Sequence, residues 1–331
     1  MKFGPVAVEM AVGSIAAHAI RHETFTLKKG DIVHNEHIAL LKAAGFDEII
    51  VAQLGPDDVN EDLAAADLAR HLAGAHVRLD RPFTGRVNFF AEVSGVLTVD
   101  VAGVDRVNAI DDAITFATLP AFRAVQAGEM IATVKIIPFA VERVLLEQAK
   151  QLPALISVAA FKPMRVGVVS TLLPGLKPSV IVKTLGVMQR RLDPAGAVIV
   201  AERRVPHEET AVSIAIAELA RTCNLVIVFG ASAITDRRDV IPVALEQCGG
   251  RVEHFGMPVD PGNLLLLGEC GAVPVIGAPG CARSPKENGF DWVLQRLLAG
   301  LRVSAQDIRR MGTGGLLMEI VSRPQPRLGS E

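Results

Sequence analysis

The sequence predicts an α/β protein: a C-terminal doubly wound, mostly parallel sheet with one antiparallel strand, preceded by a mixed α/β and β-rich N-terminal region. Three observations carry that prediction. Half of the 331 residues are apolar, yet they include thirteen Phe, one Trp and no Tyr, so the core is built from Ala, Val, Ile and Leu. From residue 165 onward, short β-branched runs alternate with helix-length segments, the pattern of βα units. The length is enough for two cores, and the expected division is 1–155, 156–303 and a C-terminal helix and tail at 304–331.

The charge balance narrows the function classes. Thirty-four basic residues face 36 acidic ones, which leaves no field able to hold a nucleic-acid backbone. The opening MKFGPVAVEMAVGSIAAHAI is interrupted by Pro5 and Glu9, against a signal peptide, and no apolar run reaches membrane-spanning length. Cys223, Cys248, Cys270 and Cys281 lack C-x-x-C spacing, which argues against a disulfide framework or a zinc knuckle and suits a reducing cytoplasm.

In the first half, FTLKKGDIV reads as β-like. Asn35 is the expected cap of a short helix ending at Gly45, and EIIVAQL is a strand. Asn60, Glu61 and Asp62 precede LAAADLARHLAG, a helix stopped by Gly74. From Gly85 to Pro138 the runs RVNFFAEV, GVLTVDV, AITFAT and MIATVKII predict a small β-rich barrel or sheet. VERVLLEQAKQL is one amphipathic helix and LPALISVAAFKPM a connector, with the domain boundary near 150–164.

The second half is regular. RVGVVS is a strand, followed by a helix over about 179–192, the strand AVIVAER, a helix over about 208–221 and the strand NLVIVF. A helix capped by Asp239 ends at Gly249-Gly250. RVEHFGM, the hairpin-like pair NLLLLGE and VPVIGA, and a helix ending near Gly300 complete the series. Ligands of such sheets bind beyond the carboxyl ends of the strands, which directs attention to the loops there.

Two loops hold the residue types of an anion site. Gly230-Ala231-Ser232-Ala233-Ile234-Thr235-Asp236-Arg237-Arg238-Asp239 offers small residues for close backbone approach, N–H groups at a helix start, and donors at Ser232, Thr235, Arg237 and Arg238. Asp236 and Asp239 can hold a divalent metal between their oxygens; the plain alternative is that Asp239 only caps its helix and the arginines are solvated. The second loop, Gly277 to Lys286, brings Pro279, Gly280, Arg283, Ser284 and Lys286 to another helix start, or is simply a tight turn. Neither is a Rossmann or Walker loop. Pro206-His207-Glu208-Glu209 and the turn Asp260-Pro261-Gly262-Asn263 are secondary candidates, and Cys281 reads as a bystander thiol.

In this order, residues 165–300 resemble the molybdopterin-binding domain shared by molybdopterin adenylyltransferases and molybdopterin molybdotransferases. Gly230 to Ala233 stand where that family has a Gly-Gly-Thr-Gly-like turn, with Arg237-Arg238-Asp239-Val240 and Pro242 after it. Pro261-Gly262 resembles the Pro-Gly turn before the hairpin, and Pro279-Gly280 with Ser284 the later Pro-Gly loop. LKKGDIVHNEHIALLKAAGFDEIIVAQ is similar to a segment preceding that domain in molybdotransferases, so the chain looks most like a molybdotransferase-like subgroup. It departs from the family where Ser170-Thr171-Leu172-Leu173 offers no acidic residue after the first strand, where only Glu208-Glu209 matches the next acidic motif, and where Ala231 replaces a glycine.

The resemblance implies binding of molybdopterin or adenylated molybdopterin in molybdenum cofactor assembly, by molybdate insertion or by adenylyl transfer from ATP. Gly230, Ala231, Ser232, Thr235, Arg237, Arg238, Pro261, Gly262, Pro279, Gly280, Arg283, Ser284 and Lys286 would bind the ligand. Asp239 and Glu208 would be catalytic, and Mg²⁺ would sit on Asp239 with Asp236 or Glu208. Family members form dimers or trimers, for which Phe89 to Ile137 is the expected interface. The alternative is a non-catalytic carrier or regulator that keeps the pocket without the metal site. A third reading is a sugar-phosphate or nucleotide enzyme on a similar sheet.

Overall fold

The computed structural model describes residues 1–317. The chain forms two compact units, Met1–Val93 with Leu97–Val158, and Ser94–Val96 with the chain from Ala159 onward. The tail of the 304–331 segment beyond residue 317 lies outside the described residues.

The first unit has two cores. Strands Lys2–Ala7 and Ile15–Ala16 flank Glu48–Gln53 in an antiparallel sheet, and Val8, Leu27, Val33, Leu41 and Val51 are buried together there. The nearby helix spans Asn35–Ala43, but its cap is His34 rather than Asn35. The His37 ring nitrogen accepts the His34 backbone N–H at 3.0 Å, the part that an N3 side chain plays in a capping box. The second core packs helix Glu61–Leu72, capped by Asn60 as its sequence indicates, with an antiparallel sheet of 114–118, 130–136, 86–91 and 77–79.

Three further sequence expectations fail in this unit. GVLTVDV is a strand only as far as Val99; Asp100 then caps a helix over Val101–Asn108, its carboxylate accepting the Gly103 N–H. VERVLLEQAKQL becomes helical only from Arg143, because Ala140–Glu142 pairs with Asp58–Asn60 as a strand. The connector contains a strand, Ile156–Ala160. Within Phe89 to Ile137, Phe89, Phe116, Ile131, Val134 and Ile136 fill the unit's own core, while Val101, Phe122, Met130 and Ile137 are exposed.

In the second unit the strands are β1 (Arg165–Leu172), β2 (Val198–Pro206), β3 (Leu225–Phe229), β4 (Arg251–Phe255), β5 (Leu266–Cys270) and β6 (Val273–Ala278). The helices are α1 (Pro178–Leu192), α2 (Glu209–Ala220), α3 (Val240–Gln247), α4 (Gly289–Leu298) and α5 (Ala305–Arg309). They build a mixed six-stranded sheet in the order β2-β1-β3-β6-β5-β4. β2, β1, β3 and β6 run parallel, and β5 is antiparallel to both its neighbours.

The side-chain period of two assigns the strand residues to opposite faces. Leu225, Ile227 and Phe229 of β3 meet Met188 and Leu192 of α1 and Phe290, Val293 and Leu294 of α4. Val226 and Val228 instead join Val212 and Ile216 of α2 and Ile241 and Leu245 of α3. β3 is buried at every position, as its unbroken LVIVF run requires when helices cover both faces.

Trp292 on α4 is the chain's only tryptophan, so its fluorescence reports the second unit alone. Phe290→Ala removes a fully buried ring from that core and is expected to lower the unfolding free energy read at Trp292 in urea by about 3–5 kcal/mol.

Candidate functional site

The parallel strands deliver their carboxyl ends to one rim, and three loops there are joined through a single buried hydroxyl. Thr171, next to last in β1, is 1% exposed. Its Oγ1 accepts the Ala231 backbone N–H at 2.6 Å and lies 2.9 Å from Nδ1 of His207. The His207 backbone N–H also donates to the Leu172 carbonyl. The position where an acidic residue was expected therefore holds a threonine that fastens the loops after β1, β2 and β3.

Arg283 makes the second junction. It ends the short 3₁₀ turn Gly280–Arg283 after β6. Its guanidinium donates to the Gly230 carbonyl at 2.9 Å and to Thr184 Oγ1 of α1 at 3.0 Å. It also lies 5.2 Å from the centre of the Phe229 ring, a cation–π arrangement. Burial pushes this guanidinium below its usual pKa. Arg283 thus ties the two Gly loops together, rather than standing free for a phosphate as the sequence suggested.

Arg191 of α1 shapes the second loop from behind. Its guanidinium pairs with Asp291 at 2.5 Å and donates to the carbonyls of Ala282, Ser284 and Lys286. Ser284 Oγ accepts the Lys286 N–H, so Ser284 acts on the turn itself, while the Lys286 side chain is exposed. Pro279 precedes the 3₁₀ turn, and a methyl group built on Gly280 would meet nothing within 4 Å.

The Gly230 to Asp239 loop is equally self-contained. A Cβ on Gly230 would stand 2.5 Å from the Ser232 carbonyl oxygen, so only glycine permits the turn. The N–H groups of Ala231 and Thr235, expected to cradle an anion, are bound within the chain: the first to Thr171, the second to Asp239 Oδ2. Asp239 Oδ1 accepts the Val240 N–H, so one oxygen of this residue caps α3 while the other holds the loop at Thr235. Asp236 holds Arg238 through two contacts, at 2.8 and 3.2 Å, and accepts its backbone N–H. The Arg238 guanidinium beside it draws the Asp236 carboxyl down to about 2. Ser232, Thr235 and Arg237 are exposed.

These pairings do not fit a magnesium ion. Asp236 is neutralised by Arg238 and Asp239 is occupied by two amides. Glu208 sits exposed at the N-cap of α2, where its side chain does not cap the helix. Among the described residues no group of three or more His, Cys, Asp or Glu could hold a metal. Hard-cation sites need several unengaged oxygens, which Asp236 and Asp239, paired as they are, do not supply.

Pro261 and Gly262 serve another junction. The Pro261 carbonyl accepts the Gly289 N–H at the start of α4, and a Cβ on Gly262 would stand 2.9 Å from Gly289 Cα. The sequence does not single out Thr184 or Arg191. It marks Thr171 only as a missing acidic residue, and His207 only as the neighbour of Glu208.

Thr171→Val keeps the shape but leaves the Ala231 N–H without its acceptor, and is expected to lower the stability read at Trp292 by about 1–3 kcal/mol. Because Asp236 is held below the ordinary carboxylate range, whatever its pair with Arg238 contributes is complete above that range and is lost as pH falls through about 2. A carbon-detected NMR titration should give Asp236 a midpoint near 2, and Arg238→Ala should raise it only part of the way to the ordinary value of about 4, because the backbone N–H of residue 238 still donates to it.

The family model described as Domain of unknown function (DUF8806) matches residues 5–53. No curated protein matches the chain. Among solved structures, the chain is similar to the molybdopterin biosynthesis MoeA protein from Pyrococcus horikosii, with 13% identity, a TM-score of 0.32 and coverage of 90% of this chain and 75% of that one. It is also similar to a molybdenum cofactor biosynthesis protein from Pyrococcus furiosus, at 15% identity and TM-score 0.26, covering 91% of this chain and 64% of that one. The molybdopterin biosynthesis enzyme MoaB from Thermus thermophilus matches at 16% identity and TM-score 0.29, over 41% of this chain and 97% of that one.

Proposed function

We propose that the second unit binds a phosphorylated pterin, molybdopterin or its adenylate, at the rim beyond β1, β3 and β6, and serves molybdenum cofactor assembly. The observation that carries this reading is the hydrogen bond from Arg283 to the Gly230 carbonyl. It joins the two Gly loops that the sequence resemblance assigns to the ligand. Exposed Arg237 and Lys286 flank those loops, and Lys183 is exposed beside Thr184, which Arg283 holds. In this reading these exposed cations neutralise the phosphate, while Arg283 and Thr171 keep the loops in shape.

The second reading, a carrier or regulator without group transfer, is favoured by a separate observation. Asp236 and Asp239 are already engaged by Arg238 and by backbone amides. Molybdate insertion or adenylyl transfer would have to proceed without those carboxylates. Oligomerisation is not required by either reading, since every group invoked belongs to one chain.

Calorimetric titration with molybdopterin and with its adenylate tests the proposal. The wild-type protein is expected to bind, more weakly as salt rises, because phosphate contacts and not ring stacking supply the affinity in a chain with one Trp and no Tyr. The double variant Arg237→Ala/Lys286→Ala should bind about tenfold more weakly, a difference of about 1.4 kcal/mol. Absence of binding to the wild-type protein overturns the proposal. Incubation of the bound adenylate with molybdate and Mg²⁺ separates the two readings: an intact adenylate supports the carrier, and release of AMP replaces it with a transferase.

A further inference from the structure

At the end of the sheet opposite that rim, the C-terminus of α3 is pressed against the end of antiparallel β5. Gly250 follows that helix, and a Cβ there would stand 2.6 Å from the Glu269 carbonyl oxygen and 2.6 Å from Leu245 Cδ1. Gly268 is equally confined, 2.5 Å from the Arg251 carbonyl oxygen. The two backbones can approach this closely only because neither carries a side chain at those points. The residues beside them are cysteines: Cys248, the C-cap of α3, and Cys270, the last residue of β5.

The two sulfurs lie 3.6 Å apart, with the Cys248 thiol directed to Cys270 Sγ and to the Leu245 carbonyl. Both residues are partly exposed and both thiols are free. Of the other two cysteines, Cys223 is buried under α2 and Cys281 lies in the loop after β6, beside Asn288. A disulfide needs the sulfurs to close to about 2.05 Å, a shift that χ1 rotation and small backbone adjustments can supply from 3.6 Å.

We propose that Cys248 and Cys270 form a dithiol modification site, which a low-molecular-weight disulfide such as oxidised glutathione converts to an internal disulfide. The Cys270 thiolate attacks one sulfur of the small disulfide, forming a mixed disulfide and releasing one small thiolate. The Cys248 thiolate then attacks the Cys270 sulfur, forming the internal bond and releasing the second small thiolate. The two electrons pass from the cysteine pair to the small disulfide, whose two halves leave as thiols carrying the two protons. Burial and the neighbouring sulfur push the Cys248 thiol up to about 11, so the second step is slow at neutral pH and quickens in alkali. The inference is independent of the ligand assigned to the rim.

The experiment treats the folded full-length protein with excess oxidised glutathione at about pH 8 and reads the products by intact mass and by non-reducing peptide mapping. The expected product has lost about 2 Da with no glutathione attached, contains a 248–270 cross-linked peptide, and reverts with dithiothreitol. Cys248→Ser should instead accumulate a single glutathione adduct on Cys270, whereas Cys223→Ser and Cys281→Ser should cross-link as the wild type does. Four unchanged thiols in the wild-type protein overturn the proposal, as do adducts without an internal bond or a cross-link to Cys223 or Cys281. Near-ultraviolet circular dichroism of each variant establishes that it is folded, so a missing cross-link in a serine variant is not the result of unfolding.

Discussion

β3 is the constraint on which the second unit depends. A five-residue strand with no exposed position must be covered on both faces, and its two hydrogen-bonding edges must both be filled. Parallel β1 and β6 fill the edges, while α1 with α4 and α2 with α3 cover the faces. Because β1, β3 and β6 run in the same direction, the loops that leave them emerge on the same side. The candidate site is a consequence of how the most apolar strand in the unit is buried.

What those loops then do with their polar groups is mainly to satisfy one another. Thr171 takes an amide from the β3 loop, Arg283 gives two hydrogen bonds across to Gly230 and Thr184, and Arg191 holds three carbonyls of the β6 loop. Such internal pairing makes a rigid rim with its remaining charge at the periphery, on side chains such as Arg237 and Lys286. Loops held by internal hydrogen bonds and flanked by exposed cations suit recognition of an anion. They suit metal chemistry less, because Asp236 is paired with Arg238 and Asp239 accepts two backbone amides.

The order of elements in the second unit was legible because its signals are local and redundant. The LVIVF run, Asp239 before VIPVALEQ and the CGA turn between two apolar stretches each state a strand, a cap or a hairpin within a few residues. In the first unit the signals conflict. Asp100 closes a β-like run and caps a helix in the same place, and Val141 reads equally well as the start of a helix or as the strand that Val59 recruits. Pairing across about eighty residues decided the second case, and no local pattern contains it.

The candidate site divides in the same way. Gly230, Asp239 and Arg283 are visible as residue types in suggestive loops, but their roles depend on partners remote in sequence. Arg283 meets Thr184 and Gly230, 99 and 53 residues away, and Thr171 meets Ala231 60 residues away. Helix α3 has a further property of this kind. It is eight residues long, about 12 Å, and an unbroken helix of that length behaves as a stiff strut. Asp239, which closes the ligand loop, sits at one end, and Cys248, which faces its neighbouring thiol, sits at the other. One short helix therefore separates the capping carboxylate from the thiol pair, with Asp239 at its first turn and Cys248 at its last.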